Sequence, residues 1–337
     1  MCGKGFEMKK ILAKREATLL IAILIVAAIT TVINPQFLTP FNLINIISTN
    51  AANAIMAVGM TAVLIVGGID ISVSAQLVTI GVLAGKLMQM QVLNVFTMFL
   101  AFFIIGGLLG GVNGTLVART NLPPIIVSLA MMNIFRGFIL DWTRGSWLMG
   151  LPRYFLTIGT GKWLGIPISI YILAVAALSM HLILRYTKIG RQIYAVGGNK
   201  TAAVRMGVSL SKVYIFVFAS LGALTGIAAI VYFSPSGAIL PTAANGLEMT
   251  IVASVVLGGT SINGGKGNVL STLLGVLLLG LIQNALVLAH VQAYWQNILN
   301  GICIVIPVII DALNTKREQG EYRLPHIFGR PLPVKAR

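Results

Sequence analysis

Apolar runs too long for any water-facing domain dominate this chain. Residues 17–33, 43–66, 71–87, 95–117, 125–140, 166–184, 213–233 and 269–289 are nearly free of charge, and shorter runs occupy 250–257 and 298–313. A bilayer core takes roughly 20 apolar residues per helix, because an unpaired amide in hydrocarbon costs several kcal/mol and a helix pairs its amides internally. The expectation is an all-α polytopic membrane protein with about ten transmembrane helices, the short runs being broken or re-entrant. Composition agrees: 57% of residues are hydrophobic and 9% charged, against about 25% charged in a soluble domain.

Lys and Arg remain on the cytoplasmic side of short loops. Seventeen of the 24 lie in three segments: Lys4, Lys9, Lys10, Lys14 and Arg15; Arg185, Lys188, Arg191, Lys200, Arg205 and Lys212; and Lys316, Arg317, Arg323, Arg330, Lys335 and Arg337. Six crossings before the middle segment and four after it place all three on one side, with both termini cytoplasmic; eight crossings satisfy the same parity. The expected organisation is a tail at 1–16, a transmembrane domain at 17–313 containing a cytoplasmic loop at 185–212, and a tail at 314–337. The basic start followed by an apolar run has the outline of a secretory signal, but the run is too long and ends at Asn34-Pro35 instead of an A-x-A-like site, so a retained first span is expected. The net charge of +16 comes from residues between apolar runs, without the interleaved aromatics of a nucleic-acid face, so membrane lipid is the expected partner and nucleic acid is not. Trp142, Trp147 and Trp163 suit either an interfacial belt or the packing of an outer loop against helix ends.

Residues 63–72, with Gly67-Gly68 followed by Asp70 and Ser72, reappear in altered form at 255–263 around Gly258-Gly259. Glycine pairs let a helix break and turn backbone polar groups toward a cavity, as in transporter substrate sites and moving joints. Paired breaks are compatible with two five-helix inverted repeats, and equally with small residues recurring because helix packing in lipid favours them. Asp70 and Glu248 are the acids beside the breaks. A carboxylate there either lines a path or gate, or caps the helix that follows, where it complements the positive end of the helix dipole. Asn50, Asn53, Gln283 and Asn284 are candidates to line a hydroxyl-rich ligand's path or to bond helices to one another.

Several chemistries are excluded. Cys2 and Cys303 form no disulfide framework or thiolate metal site. His181, His290 and His326 lack metal-ligand spacing, so no metal site and no cofactor are expected. The glycine-rich stretch 258–267 fails as a phosphate-binding loop, since Thr260 stands where its first glycine belongs and Gly267 follows Lys266 in place of Ser or Thr. No nucleophile elbow is present, so the chain is not expected to be an enzyme.

Several ordered motifs resemble the membrane permease subunits of bacterial ATP-binding-cassette importers for ribose and related sugars: Asn53-Ala54-Ile55-Met56-Ala57-Val58-Gly59-Met60-Thr61; Gly68-Ile69-Asp70-Ile71-Ser72-Val73; Gly190-Arg191 through Tyr194-Ala195-Val196-Gly197-Gly198-Asn199; and Leu257-Gly258-Gly259-Thr260-Ser261 with Gly264-Gly265-Lys266-Gly267. The match spans about 34 to 311. It implies a non-enzymatic subunit of the bacterial inner membrane that forms a translocation path with a second copy or a paralogue. An extracytoplasmic sugar-binding protein would bind outside and an ATPase subunit inside. Coupling to the ATPase is expected in the basic loop, where 199–207 reads as a short amphipathic helix with Ala202, Ala203 and Met206 to dock on a partner, between Gly190-Arg191, Gly198-Asn199 and Gly207. The path or gate is expected at Asn53, Gly67, Gly68, Asp70, Glu248, Gly258, Gly259 and Gln283. The chain departs from the family pattern at Ser74-Ala75 and Met249-Thr250. Arg136-Gly137, Trp142-Thr143 and Gly150-Leu151-Pro152 are more similar to permeases for a furanosyl autoinducer. A rival of another class is an ion-coupled secondary transporter, with Asp70 and Glu248 as its acidic candidates.

Overall fold

The computed structural model describes residues 3–120 and 122–292 together with 295, 298, 301, 302, 305 and 309, with side-chain surroundings given from residue 16 onward. In chain order the helices are α1 (Gly3–Ile33), α2 (Pro40–Thr49), α3 (Ala51–Ile65), α4 (Val73–Gln89), α5 (Val95–Thr120), α6 (Pro124–Thr143), α7 (Arg153–Thr160), α8 (Ile168–Tyr186), α9 (Lys188–Gly198), α10 (Lys200–Arg205), α11 (Leu210–Phe233), α12 (Leu247–Leu257) and α13 (Val269–Leu288). A hairpin of two-residue strands, β1 (Lys162–Trp163) with β2 (Ile166–Pro167), is the only sheet among the described residues. All-α character is as expected. Among the described residues six helices are long and apolar enough to cross a bilayer, seven if α2 and α3 form one span bent by 50°, against about ten expected with the short runs read as broken or re-entrant. With 17 residues, α4 is a shorter apolar helix, and α12 with 11 is shorter still. The run expected at 298–313 lies largely outside the described residues, as do 314–337. α1 already begins inside the segment expected as an N-terminal tail.

The bend between α2 and α3 falls at Asn50, whose side chain turns back to donate to the Ile46 carbonyl at 3.0 Å. Every residue of α3 except Asn53 is buried, so α3 is the central post of the bundle. Its polar side chain Thr61 is satisfied by sharing a hydrogen bond with Thr272 of α13 at 2.8 Å. At the other extreme, α1 is 11% buried over its apolar stretch and presents Ile21, Leu24 and Ile25 outward, as a lipid-facing helix must.

α5 and α11 pack backbone against backbone. Gly106, Gly110 and Gly114 follow one another at four-residue spacing on α5, opposite Gly222 and Gly226 on α11. A methyl group at Gly106 would strike the Gly222 carbonyl, one at Gly110 the Phe218 carbonyl, and one at Gly226 the Phe102 carbonyl. In lipid, where helices gain nothing by leaving water, such close approach supplies the dispersion contact that holds them together.

Candidate functional site

Two glycine breaks far apart in sequence end side by side. α3 stops where Gly67 takes φ +80°, and α12 stops at Gly258 and Gly259, the latter at φ +91°; a side chain is strained at both positive values. The loop after α12 then closes on the end of α3: the Gly265 amide donates to the Ile65 carbonyl at 2.8 Å, and Gly67 has no room toward the Asn263 carbonyl beyond ordinary contact. Both helices deliver their C-terminal ends to one place, so the two motifs are neighbours at the same end of the bundle. They are not the antiparallel pair that an inverted repeat would relate.

The basic loop reaches the same place. Thr187 caps α9 by accepting from the Gly190 amide at 3.1 Å, and Asn199 caps α10 by accepting from the Ala202 amide at 2.9 Å. α9 lies so close to the breaks that a methyl group at Gly197 would overlap the Ile65 carbonyl. Tyr194 donates its hydroxyl to the Gly267 carbonyl at 2.8 Å, and burial pushes its phenol above the usual range, so it remains a donor at neutral pH. Gly190 is needed because a methyl there would meet the Ile183 and Leu184 carbonyls, whereas Gly198 has open space around it. Gly207 turns the chain at φ +81°. Of the expected docking side chains, Ala202 and Met206 are exposed but Ala203 is fully buried in the core, so the outward surface is Ala202, Val204 and Met206. Arg191 is exposed. The expected helix at 199–207 is shorter than read, because Gly207 ends it, and α9 before it was not anticipated.

Asp70 sits fully buried just ahead of α4. Its Oδ1 accepts from the Ser72 amide at 2.9 Å and from the Ser72 hydroxyl at 2.6 Å, and its Oδ2 from Gln76 at 3.2 Å and Asn113 at 3.5 Å. Ser72 Oγ in turn accepts from Gln76 at 2.8 Å and Asn113 at 2.7 Å. On the other side of the turn the Ile71 amide donates to Ser128 of α6 at 3.1 Å. Asp70 therefore ties the first break to α4 and α5; its bond to the Ser72 amide closes a turn two residues long and does not cap α4, whose N-cap is Ser72, without a side-chain cap bond. Gln76 and Asn113 were not picked out from sequence. Gln76 follows Ser72 by one helical turn, which is the signal that would have found it; Asn113 carries none.

Glu248 occupies the first turn of α12, but its carboxylate bonds across helices. Ser74 of α4 donates to its Oε2 at 2.5 Å, and Arg136 of α6 lies 3.6 Å away while also donating to Ser74 Oγ at 3.3 Å. The guanidinium is about a third exposed, on the wall of a cavity of about 110 Å³ shared with Thr79, Thr242 and Asn245. The buried Thr79 hydroxyl on this wall has no partner among the described residues. Arg136, with Thr242 and Asn245 on the same wall, can exchange hydrogen bonds with a polyhydroxylated solute.

The remaining candidates are dispersed. Asn53 is half-buried on α3 and Gln283 half-buried on α13. Asn284 and Asn42 bond reciprocally at 3.0 and 3.2 Å, linking α13 to α2, and so act between helices. Trp142, Trp147 and Trp163 are all about half exposed or more.

Comparison with known proteins agrees with this architecture. Over 318 residues the chain is 37% identical to the ribose import permease protein RbsC of Haemophilus influenzae, covering 93% of this chain and 98% of that one. It is 33% identical over 293 residues to the D-allose transport system permease protein AlsC of Escherichia coli, covering 87% and 90%. It is also 33% identical over 332 residues to the autoinducer 2 import system permease protein LsrC of Salmonella paratyphi B, covering 98% and 96%. No solved structure matches it. The profile of one transporter family matches residues 42–308, and the chain belongs to that family, described as branched-chain amino acid transport system / permease component.

Proposed function

We propose that this chain is the membrane permease subunit of an ATP-binding-cassette importer, forming the translocation path for a sugar or sugar-like solute and driven by a partner ATPase. The observation that carries the reading is the meeting of three segments at one end of the bundle: the break after α3, the break after α12 and the C-terminal end of α9. A partner pressing on α9 and α10 would move Gly197 against the Ile65 carbonyl, and both breaks with it. Ribose, allose and autoinducer 2 import by the relatives names the solute class.

In this reading the loop 185–212 and both termini are cytoplasmic, because the basic segments cluster there. Ala202, Val204 and Met206 present the apolar knobs that dock on the ATPase, with Arg191, Gly198 and Asn199 shaping the approach. A second copy or a paralogue completes the path, and an extracytoplasmic sugar-binding protein delivers the solute. Arg136, Thr242 and Asn245 line the route with hydrogen-bonding groups, Arg136 being held by Glu248 and Ser74; Asp70, with Gly67 and Gly68 on one side and Gly258 and Gly259 on the other, holds the joint. An ion-coupled carrier is the less favoured alternative. It needs an ionisable group on a water path, and Asp70 is enclosed by neutral donors while Glu248 is paired with Arg136.

Affinity purification of the full chain from its own membrane in gentle detergent, followed by mass spectrometry, tests the reading. The expected result is recovery of a subunit with a nucleotide-binding motif and ATP-dependent solute uptake by the reconstituted complex. Solute uptake by the chain alone without ATP would overturn it. Within the complex, Gly198→Trp is expected to leave ATP hydrolysis running while uptake falls; wild-type uptake would remove the coupling role of that position.

A further inference from the structure

α12 is fastened at both of its ends to one connection, residues 66–74 between α3 and α4. After its C-terminal end the following loop meets the start of that connection: the Gly265 amide donates to the Ile65 carbonyl at 2.8 Å, and a methyl group on Gly264 would press on the same carbonyl and on the Gly67 amide. In its first turn, Glu248 accepts from the hydroxyl of Ser74 at 2.5 Å, where the connection has just entered α4. Ser74 and Glu248 are both buried. The Ser74 oxygen also accepts from Arg136 Nη2 at 3.3 Å, and that nitrogen lies 3.6 Å from the Glu248 carboxylate. Arg136 in turn is on the wall of the 110 Å³ cavity, and another part of that wall is Pro241, Thr242, Ala243 and Asn245, the turns that lead into α12. Ala244 at φ +61° and Gly246 at φ +82° fold these turns. An occupant of the cavity therefore meets both Arg136 and the chain from which α12 starts.

We propose that Ser74 and Glu248 are positioning residues that couple this cavity to the joint, with α12 as the strut between them. In the arrangement described, Ser74 and Arg136 hold Glu248, and the strut is fastened at both ends. An occupant that draws hydrogen bonds from the Arg136 guanidinium competes with Ser74 and Glu248 for the same donors, so the fastening at the start of α12 loosens. A helix carries that change to its far end as a rigid element, where the Gly265–Ile65 bond loosens in turn. Gly197 of α9 lies against the same Ile65 carbonyl, so the basic loop meets the consequence directly. Taking the occupant to be the imported solute rests on the reading above; the joint then registers the solute through Ser74 and Glu248.

Hydrogen–deuterium exchange of the full-length protein in detergent, read on residues 258–267, tests this without a partner or a solute. Ser74→Ala removes the hydroxyl and is expected to speed exchange there about tenfold, the loss of one charge-assisted hydrogen bond felt at the far end of α12. Glu248→Gln gives the same reading if Ser74→Ala does not accumulate. Arg136→Gln withdraws the guanidinium as an occupant would, and is expected to speed exchange by a smaller factor. In all three, residues 106–114 and 218–226, where α5 and α11 pack backbone to backbone, should exchange as in wild type, which separates local release from general loosening. Unchanged exchange at 258–267 in Ser74→Ala, or a rise shared equally by α5 and α11, would overturn the proposal. Unchanged exchange in Arg136→Gln would also overturn it, by cutting the cavity off from the strut. Because no ATPase is needed, failure here leaves the importer reading standing, and a chain purified without an ATPase leaves this coupling standing.

Discussion

Glycine holds this protein together in one region and lets it turn in another. Between α5 and α11 the glycines have ordinary helical conformation, and what matters is the missing side chain: carbonyls of one helix sit where a methyl would be on the other. At the joint, Gly67, Gly259, Gly264 and Gly265 have φ between +76° and +91°, so what matters there is backbone freedom, and the Gly265 amide of the loop after α12 bonds to the Ile65 carbonyl at the end of α3. The first use yields a rigid two-helix slab and the second a place where two helices end and their backbones meet. A count of glycines along the sequence does not separate the two; spacing does. Glycines four apart inside an uninterrupted apolar run pack helices, and adjacent glycines followed by polar residues break them.

Four tests break or sharpen this contrast, in falling order of effect. Gly222→Leu wedges α5 from α11 at its tightest point and is expected to remove folded protein from the membrane, as measured by detergent-extractable monodisperse material; Gly107→Ala on the next face of α5, where the nearest contact is an ordinary 3.7 Å, should accumulate normally. Gly197→Ala disturbs the joint and not the slab, so membrane levels should persist while transport in vesicles drops; the overlap with Ile65 is worth on the order of 1–3 kcal/mol. Third, Glu248→Gln strips Arg136 of its charge partner in a partly buried site and should cost about 2 kcal/mol of thermal stability, recovered in part when Arg136→Gln is added, since the pair's removal leaves no lone charge. The smallest effect belongs to Gly137→Ala in α6, where nothing lies within 4 Å. It should raise stability by roughly 0.5–1 kcal/mol through helix propensity and leave transport unchanged.

Much of this was legible in the chain. The apolar runs located the long helices from α4 to α6, α8, α11 and α13 to within a few residues, while α1 begins well before its run, and the Gly-Gly pairs located both breaks. Span number was less legible, because hydropathy cannot tell one crossing from a helix bent at Asn50: no glycine or proline marks that bend, and the cause is a side chain competing for the Ile46 carbonyl. Arg136 was visible only as part of a resemblance. Its pairing with Glu248 depends on α6 and α12 both packing on α4, a tertiary fact without local trace. Ala203 was misjudged for a related reason. In a helix as short as α10, one residue of rotation decides which side chain faces the core, and the preceding helix α9, which sets that rotation, had not been recognised. The relation between the two breaks stayed open at the level of sequence, because loose similarity in ten residues carries no direction.

The shortness of α12 also bears on how the chain enters the membrane in the first place. Eleven residues span about 16 Å, roughly half a hydrocarbon core, and Glu248 in the first turn lowers their hydropathy further. A segment like this gives the insertion machinery too little apolar length to release it sideways into lipid as an independent span. Its preceding backbone, which includes Ile239, is paired with Leu148 through two hydrogen bonds of 2.9 and 3.0 Å, and its partner for Glu248 is on α6. The berth for α12 is thus made partly before it, by α4, α6 and the bridge at Leu148, and partly after it, by α13, whose Ser271 and Gly275 pack against Gly258 and Ser254. This short segment is therefore received between helices synthesised on both sides of it.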